Sequence, residues 1–165
     1  MSLGPTNFKV AKGMLKGDLL DFLGYYAYDR ASSPDAKPDD QVPNTPAFYD
    51  DPAMRTLLYH FLHDMREYTG EALEPTYSYF RVYKNGDILH RHTDRKACEY
   101  SVSITLKREQ VDDIWPLCLE TNEIHKVCLE EGDGLIYKGI ESPHWRDKFE
   151  GERLAQVFLH YTRSS

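Results

Sequence analysis

Beyond residue 75 the chain alternates apolar and polar residues in short runs of period two, the mark of strands whose successive side chains leave opposite faces. Residues 77–83, 88–94, 101–106, 117–120, 123–129, 135–138 and 153–161 read as strands. Asn85-Gly86 is a strong hairpin-turn signal and Thr121-Asn122 a second; Asp133-Gly134 and Glu150-Gly151 mark further turns. Short strands recurring at intervals of about 8–12 residues predict a sandwich or barrel.

The first 75 residues carry a different period. Leu19, Leu20, Phe22, Leu23 and Tyr26 form an apolar stripe at helical spacing, with Asp18 as its candidate cap. Asp51-Pro52 opens a longer helix: a capping carboxylate precedes proline at the first helical position. Met54, Leu57, Leu58, Phe61, Leu62, Met65 and Tyr68 then recur at three- and four-residue steps until Gly70 closes it. That face needs a broad apolar partner, most simply a sheet. Residues 29–51, between the two helices, have no period and hold four of the nine prolines and six acidic residues. They predict a long irregular loop, either a mobile cover or a disordered linker. The expected architecture is mainly β: two N-terminal helices supporting an antiparallel sandwich. It forms one domain over 1–165, with helical support and a Pro-rich loop over 1–75 and the β core over 76–161.

Composition narrows the function. A chain of 165 residues suits one domain, and 20 Lys+Arg against 27 Asp+Glu give a net charge of −7. That balance excludes a generic polyanion binder, so neither nucleic acid nor a membrane is expected as a partner. No apolar run is long enough to span a bilayer, and the first residues carry no apolar signal core. Cys98, Cys118 and Cys128 fit neither a disulfide framework nor a CxxC zinc site, which points to reduced thiols in the cytoplasm. Against the acidic average, residues 81–96 hold Arg81, Lys84, Arg91, Arg95 and Lys96 beside only Asp87 and Asp94. This basic stretch suits an anionic ligand or balances the acidic segment 111–133.

His92 and Asp94 lie two apart on a strand, so both leave the same face and can share one cation. Alone the pair is weak evidence, because seven histidines in so acidic a chain give about one such pair by chance. His144 follows Ser142-Pro143 at the end of the strand that begins near Leu135. If the sandwich sets it beside His92, two imidazoles and a carboxylate make the facial set of non-haem iron, with three coordination positions left open. Arg153 shares a strand face with Ala155, Val157 and Leu159. If that face is inward, its guanidinium needs an anionic partner, either a protein carboxylate or a ligand. Ser101, Ser103 and Thr105 would form a small polar wall, or simply the wet side of a sheet.

The spacing Tyr83-x2-Gly86-x5-His92-x-Asp94, then His144-x8-Arg153, resembles the 2-oxoglutarate/Fe(II)-dependent oxygenases, and among them the prolyl-hydroxylase-like group, over residues 76–161. The resemblance implies a double-stranded β-helix, or jelly-roll, with His92, Asp94 and His144 holding Fe(II). It implies that Arg153 binds the distal carboxylate of the co-substrate 2-oxoglutarate, with Tyr83 adding a hydroxyl and Thr105 a further contact. The activity implied is an O2-consuming dioxygenase that hydroxylates a peptide side chain of prolyl type or an amino acid. Many relatives carry a Gly-Gly pair on the strand after the first ligands, where this chain reads Ile114-Trp115-Pro116-Leu117, which bears on the substrate class. Trp145 and the loop 29–51 are candidate substrate contacts. Two other readings stay open: a cupin-like metalloenzyme using His90 with His92 and no 2-oxoglutarate, and a non-catalytic β-sandwich binding module. His60 and His63 sit beside the apolar side of the long helix, while His125 and His160 read as ordinary strand residues.

Overall fold

Two antiparallel sheets face one another in the computed structural model, which describes residues 2–109 and 113–165. The larger has six strands in the order β1 (Phe8–Ala11), β8 (Gly134–Tyr137), β5 (Tyr100–Glu109), β10 (Arg153–Arg163), β3 (Leu73–Lys84) and β2 (Ala47–Tyr49). The smaller runs β4 (Leu89–His92), β9 (His144–Arg146), β6 (Leu117–Glu120) and β7 (Ile124–Val127). Three helices, α1 (Gly17–Ala31), α2 (Pro52–His60) and α3 (Leu62–Thr69), pack on the outer face of the larger sheet.

The long helical pattern is correct in extent and broken once. Asp51 accepts from the amides of Ala53 and Met54, Pro52 takes the first turn, and Gly70 ends the run at φ +73°. Phe61 leaves helical geometry and divides α2 from α3, although hydrogen bonds from its amide to Leu57 and from Met65 to its carbonyl carry across the break. Met54, Leu57, Leu58, Phe61 and Met65 stay on one buried side against Phe80, Val82, Val157 and Leu159.

In α1 the buried face is rotated from the expected stripe. Leu23, Gly24, Ala27 and Tyr28 are inward, whereas Phe22 is 64% exposed. The cause is Gly24, where a Cβ would sit 3.0 Å from Lys107 Cβ and 3.2 Å from the Leu106 carbonyl oxygen. The helix therefore meets β5 along its smallest side chain. Asp18 is not the cap; it lies inside the first turn, where its charge favours the helix N-terminus.

The turn at Asn85-Gly86 forms, with Gly86 at φ +91° and the Asp87 amide bonded to the Lys84 carbonyl. It does not make a hairpin, because β3 and β4 belong to different sheets. The turn at Thr121-Asn122 does join a hairpin, β6 to β7. The Pro-rich segment keeps an irregular path from residue 32 to 46 before β2 and is fastened at several points. Val42 is buried in the core between the sheets, and Thr45 is buried with its hydroxyl on the Asp87 carboxylate.

Candidate functional site

His92 ends β4 and His144 begins β9, and the two strands pair with these residues opposite one another. His144 thus stands on a strand of its own, in the sheet opposite β8, rather than at the end of the strand begun at Leu135. Its Nε2 lies 3.2 Å from Asp94 Oδ1 and that of His92 lies 3.4 Å from the same oxygen. The Nδ1 atoms face backbone carbonyls, His90 at 2.7 Å and Ser142 at 2.9 Å. Donation there commits Nδ1 to the backbone and leaves Nε2 as the atom of each ring that meets Asp94 or a cation. The Asp94 amide is held by the Gly139 carbonyl at 2.9 Å. Burial opposes the Asp94 charge, yet hydrogen bonds from His144 and His92 outweigh it and hold the carboxyl well below the usual range. Asp94 Oδ2 is buried with no partner. A Cβ on residue 139 would lie 2.1 Å from that oxygen, so glycine makes the room the carboxylate occupies.

The three residues line a cavity of about 500 Å³, together with Tyr77, Tyr79, Arg81, Tyr137, Phe158 and His160. Its mouth includes Asp39, Asp40, Gln41, Tyr49 and Arg95. Part of the irregular segment therefore borders the site, tied to its wall through Asp39 and Gln41. Asp39 accepts from Arg81 at 3.0 Å and from the Tyr79 hydroxyl at 2.6 Å, and the Gln41 side-chain oxygen accepts from Arg81 at 3.0 Å. Burial works against the Asp39 charge, but these hydrogen bonds hold its pKa below the ordinary carboxylate value. Arg81, counted in sequence only as part of a basic stretch, is 3% exposed. The rest of that stretch is dispersed: Arg91 pairs with Glu120, Lys84 bonds the Asn44 carbonyl, and Arg95 lies over the Tyr77 ring. No open basic patch survives among them.

Of the other residues marked from sequence, Arg153 is not at the site. It lies on the side of β10 that carries Ala155, Val157 and Leu159, which pack toward the helices. Its guanidinium stacks on Tyr28 and pairs with Glu109 at 3.0 Å, with a side chain 41% exposed. The anionic partner is thus a protein carboxylate at the surface. Tyr83 is inward and fully buried, edge-on to Trp115, and its hydroxyl has no partner. Thr105 is inward too, but its hydroxyl donates to Gln156 at 2.8 Å. The polar wall of Ser101, Ser103 and Thr105 is real and dry: Gln156 also donates to Ser103 at 2.8 Å, and Ser101 bonds His160 Nδ1 at 2.7 Å. Trp145 points away from His144 and Arg146, its strand neighbours, and does not line the cavity. His90 is exposed and joins no cluster of three candidate ligands among the described residues. Residues 110–112, which include the start of the acidic segment 111–133, lie outside the described residues.

Two groups were missed. His160 lies in the cavity, and burial pushes its imidazole down to about 4. Arg146, two residues beyond His144 on the same side of β9, is 2% exposed. One of its amino groups donates to the Trp115 carbonyl at 2.8 Å, its Nε has no partner, and the guanidinium sits 4.8 Å from the Trp115 ring and 5.8 Å from that of Tyr83. Burial holds its pKa below the ordinary arginine value, the direction expected of a cation with no carboxylate beside it. The sequence signal was thin: β9 has three residues, too few to show alternation.

No protein-family model matches the chain, and no curated protein does. Solved structures match it over nearly its whole length. A prolyl-4-hydroxylase from Pseudomonas putida superposes with a TM-score of 0.79 at 18% identity, covering 98% of this chain and 96% of that one. A viral collagen prolyl hydroxylase from Paramecium bursaria Chlorella virus-1, in complex with 2-oxoglutarate, gives 0.70 at 13%, covering 95% and 96%. HygX from Streptomyces hygroscopicus, with nickel, 2-oxoglutarate and hygromycin B bound, gives 0.73 at 16%, covering 98% and 85%. The fold is that of the 2-oxoglutarate/Fe(II) oxygenases. The double-stranded β-helix that the resemblance implied is borne out, with three supporting helices in place of two.

Proposed function

We propose that the chain is a 2-oxoglutarate- and Fe(II)-dependent dioxygenase that hydroxylates a peptide side chain of prolyl type or an amino acid. The observation that carries this reading is the convergence of His92 and His144 Nε2 on one Asp94 oxygen, inside an oxygenase fold. Two imidazoles and a carboxylate on one side of a cation suit non-haem iron and leave positions open for a bidentate co-substrate and O2. Bound there, iron with 2-oxoglutarate and O2 supplies oxidative decarboxylation coupled to hydroxylation, and the protein supplies orientation and the exclusion of water.

The interior suits the dicarboxylate as well. Arg146 Nε and the Tyr83 hydroxyl are buried and unpaired outside the lining of the cavity. Arg81 Nε, on the lining, is unpaired too, but that guanidinium already has Asp39. Arg146 is the cation that still calls for an anion. Arg146 therefore takes the anchoring role that the resemblance gave to Arg153. Two residues along a strand is about 6.6 Å, so His144 and Arg146 suit the two ends of one short dicarboxylate. Thr105, whose hydroxyl is held by Gln156, acts through that wall rather than by direct contact.

The substrate classes stay as broad as the neighbours allow, since two of them are prolyl hydroxylases and the third binds hygromycin B. No helix is long and apolar enough to cross a membrane, and three free cysteines, two of them buried, suit a reducing cytoplasm. Anaerobic addition of Fe(II) and 2-oxoglutarate is expected to give a visible metal-to-ligand charge-transfer band that His144→Ala abolishes. Folded protein with no band and no metal uptake overturns the reading.

A further inference from the structure

Asp94 belongs to two clusters. Besides the histidine pair, it converges with Cys98 and His160, one donor atom from each lying within 4.8 Å of the other two. Cys98 follows Asp94 by four residues, in a single 3-10 turn that leads into β5, and His160 comes from β10 across the cavity. All three are largely withdrawn from solvent: Cys98 is 2% exposed, His160 6%, and the Asp94 side chain 12%.

We propose that Asp94, Cys98 and His160 form a second cation site, selective for a soft divalent ion of the zinc or cadmium class, which competes with the His92–Asp94–His144 site for the shared carboxylate. The proposal rests on the preceding reading only through that carboxylate; it requires neither 2-oxoglutarate nor turnover.

Each donor is prepared. The His160 ring is held at Nδ1 by Ser101 Oγ, 2.7 Å away, which turns Nε2 to the cavity as the ligating nitrogen. Asp94 Oδ1 faces the histidine pair, while Oδ2 has no partner of its own. Cys98 Sγ meets the Tyr77 hydroxyl at 3.1 Å, so a phenol proton is at hand to stabilise a thiolate when the thiol gives up its own to the solvent on metal binding. Arg95, an exposed cation, lies over the Tyr77 ring and donates from Nε to its hydroxyl at 3.3 Å, a contact that must loosen when a second cation enters.

The donor set decides the ion. The thiolate favours a soft, zinc-type ion over iron or manganese, whereas two imidazoles and a carboxylate accept iron, manganese and zinc alike. Ligand atoms around tetrahedral zinc stand roughly 3.5 Å apart, so side chains no more than 4.8 Å apart close with small rotations. Two dications this near one another repel strongly in a partly buried site. Occupation of the sulfur site therefore draws Asp94 away and leaves the histidine pair without its carboxylate.

The test uses full-length apo protein carrying Cys128→Ser, which removes the exposed thiol. Titration with Cd(II) alone is expected to give a thiolate-to-cadmium charge-transfer absorption that Cys98→Ser abolishes and His160→Gln weakens at least tenfold. Mn(II) binding, followed by electron paramagnetic resonance, is expected to weaken at least tenfold in Cd(II)-loaded protein and to be far less sensitive to Cd(II) in Cys98→Ser. Absence of the absorption, or equal displacement of Mn(II) in Cys98→Ser, overturns the proposal, since cadmium would then enter the histidine site directly. His144→Ala separates the two readings: it should lose Mn(II) and keep the cadmium absorption. If the parent protein binds no Mn(II) but shows the absorption, the iron-site reading falls and the soft-ion site stands.

Discussion

Along the stretch that borders the site, β5 and β10 of the larger sheet are buried on both faces and differ in the chemistry of each. Toward the helices, β5 and β10 present Val102, Ile104, Leu106, Val157 and Leu159; toward the smaller sheet they present Ser101, Ser103, Thr105, Gln156 and His160. Exposure does not distinguish the faces, and neither is wet. The outer face is held chiefly by apolar burial, with the Tyr161 hydroxyl on the Leu58 carbonyl and the Arg153–Glu109 pair as its polar ties. The inner face is a hydrogen-bonded ladder that satisfies most of its own members, so the few atoms it leaves unpaired mark where a ligand belongs.

Four substitutions break or sharpen this contrast. Ile104→Ala, on the outer face, should cost about 2–5 kcal/mol. It should lower the melting temperature by about 4–20 °C, with metal affinity of the folded protein unchanged. Loss of metal affinity without loss of stability would show that the faces are not independent. Gly139→Ala drives a Cβ into Asp94 Oδ2 at a residue whose backbone accepts alanine. Mn(II) affinity should fall about 10–100-fold. The same substitution in an Asp94→Gly background should leave stability unchanged, because every atom it would strike is gone.

Arg146→Met should act in two directions at once. Removing a buried, uncompensated cation should stabilise ligand-free protein by about 1–4 kcal/mol. Binding of 2-oxoglutarate, measured by calorimetry, should weaken at least tenfold. Arg153→Gln removes a surface pair and should change stability by no more than about 1 kcal/mol, with co-substrate binding intact. If Arg153→Gln abolished binding and Arg146→Met did not, the anchor would return to β10.

These two arginines also show how far the sequence could be read. Period-two alternation located the long strands, and His92-x-Asp94 with His144 was legible as a residue pattern, although the strand expected over 88–94 ends at His92 and Asp94 stands beyond it, held by the Gly139 carbonyl. The side of β10 that faces the site was not legible. Both of its faces are buried, and the apolar set Ala155, Val157 and Leu159 packs on helices rather than on the second sheet. Arg153 was therefore assigned to the wrong interior. Arg146 lay in a strand too short to alternate, and the Arg81–Asp39 pair joins a regular strand to a segment with no period, 42 residues apart. Such contacts are tertiary facts that local pattern does not carry.

The turn at Asn85-Gly86 carries the chain from the larger sheet to the smaller, so Arg81 and Tyr83 on one wall and His92 on the other come from one short stretch of chain. It is tied down by the Gly86 amide on the Phe149 carbonyl and by the Lys84 amide on the Asp87 carboxylate. It works as a ruler between the two walls. Because β4 meets β9 in a fixed register, with Leu89 opposite Arg146 and His92 opposite His144, one residue inserted between Gly86 and Leu89 would shift that pairing and move His92 off His144. Length drift is tolerable in the irregular segments around the mouth, but at this corner the count of residues is itself part of the site.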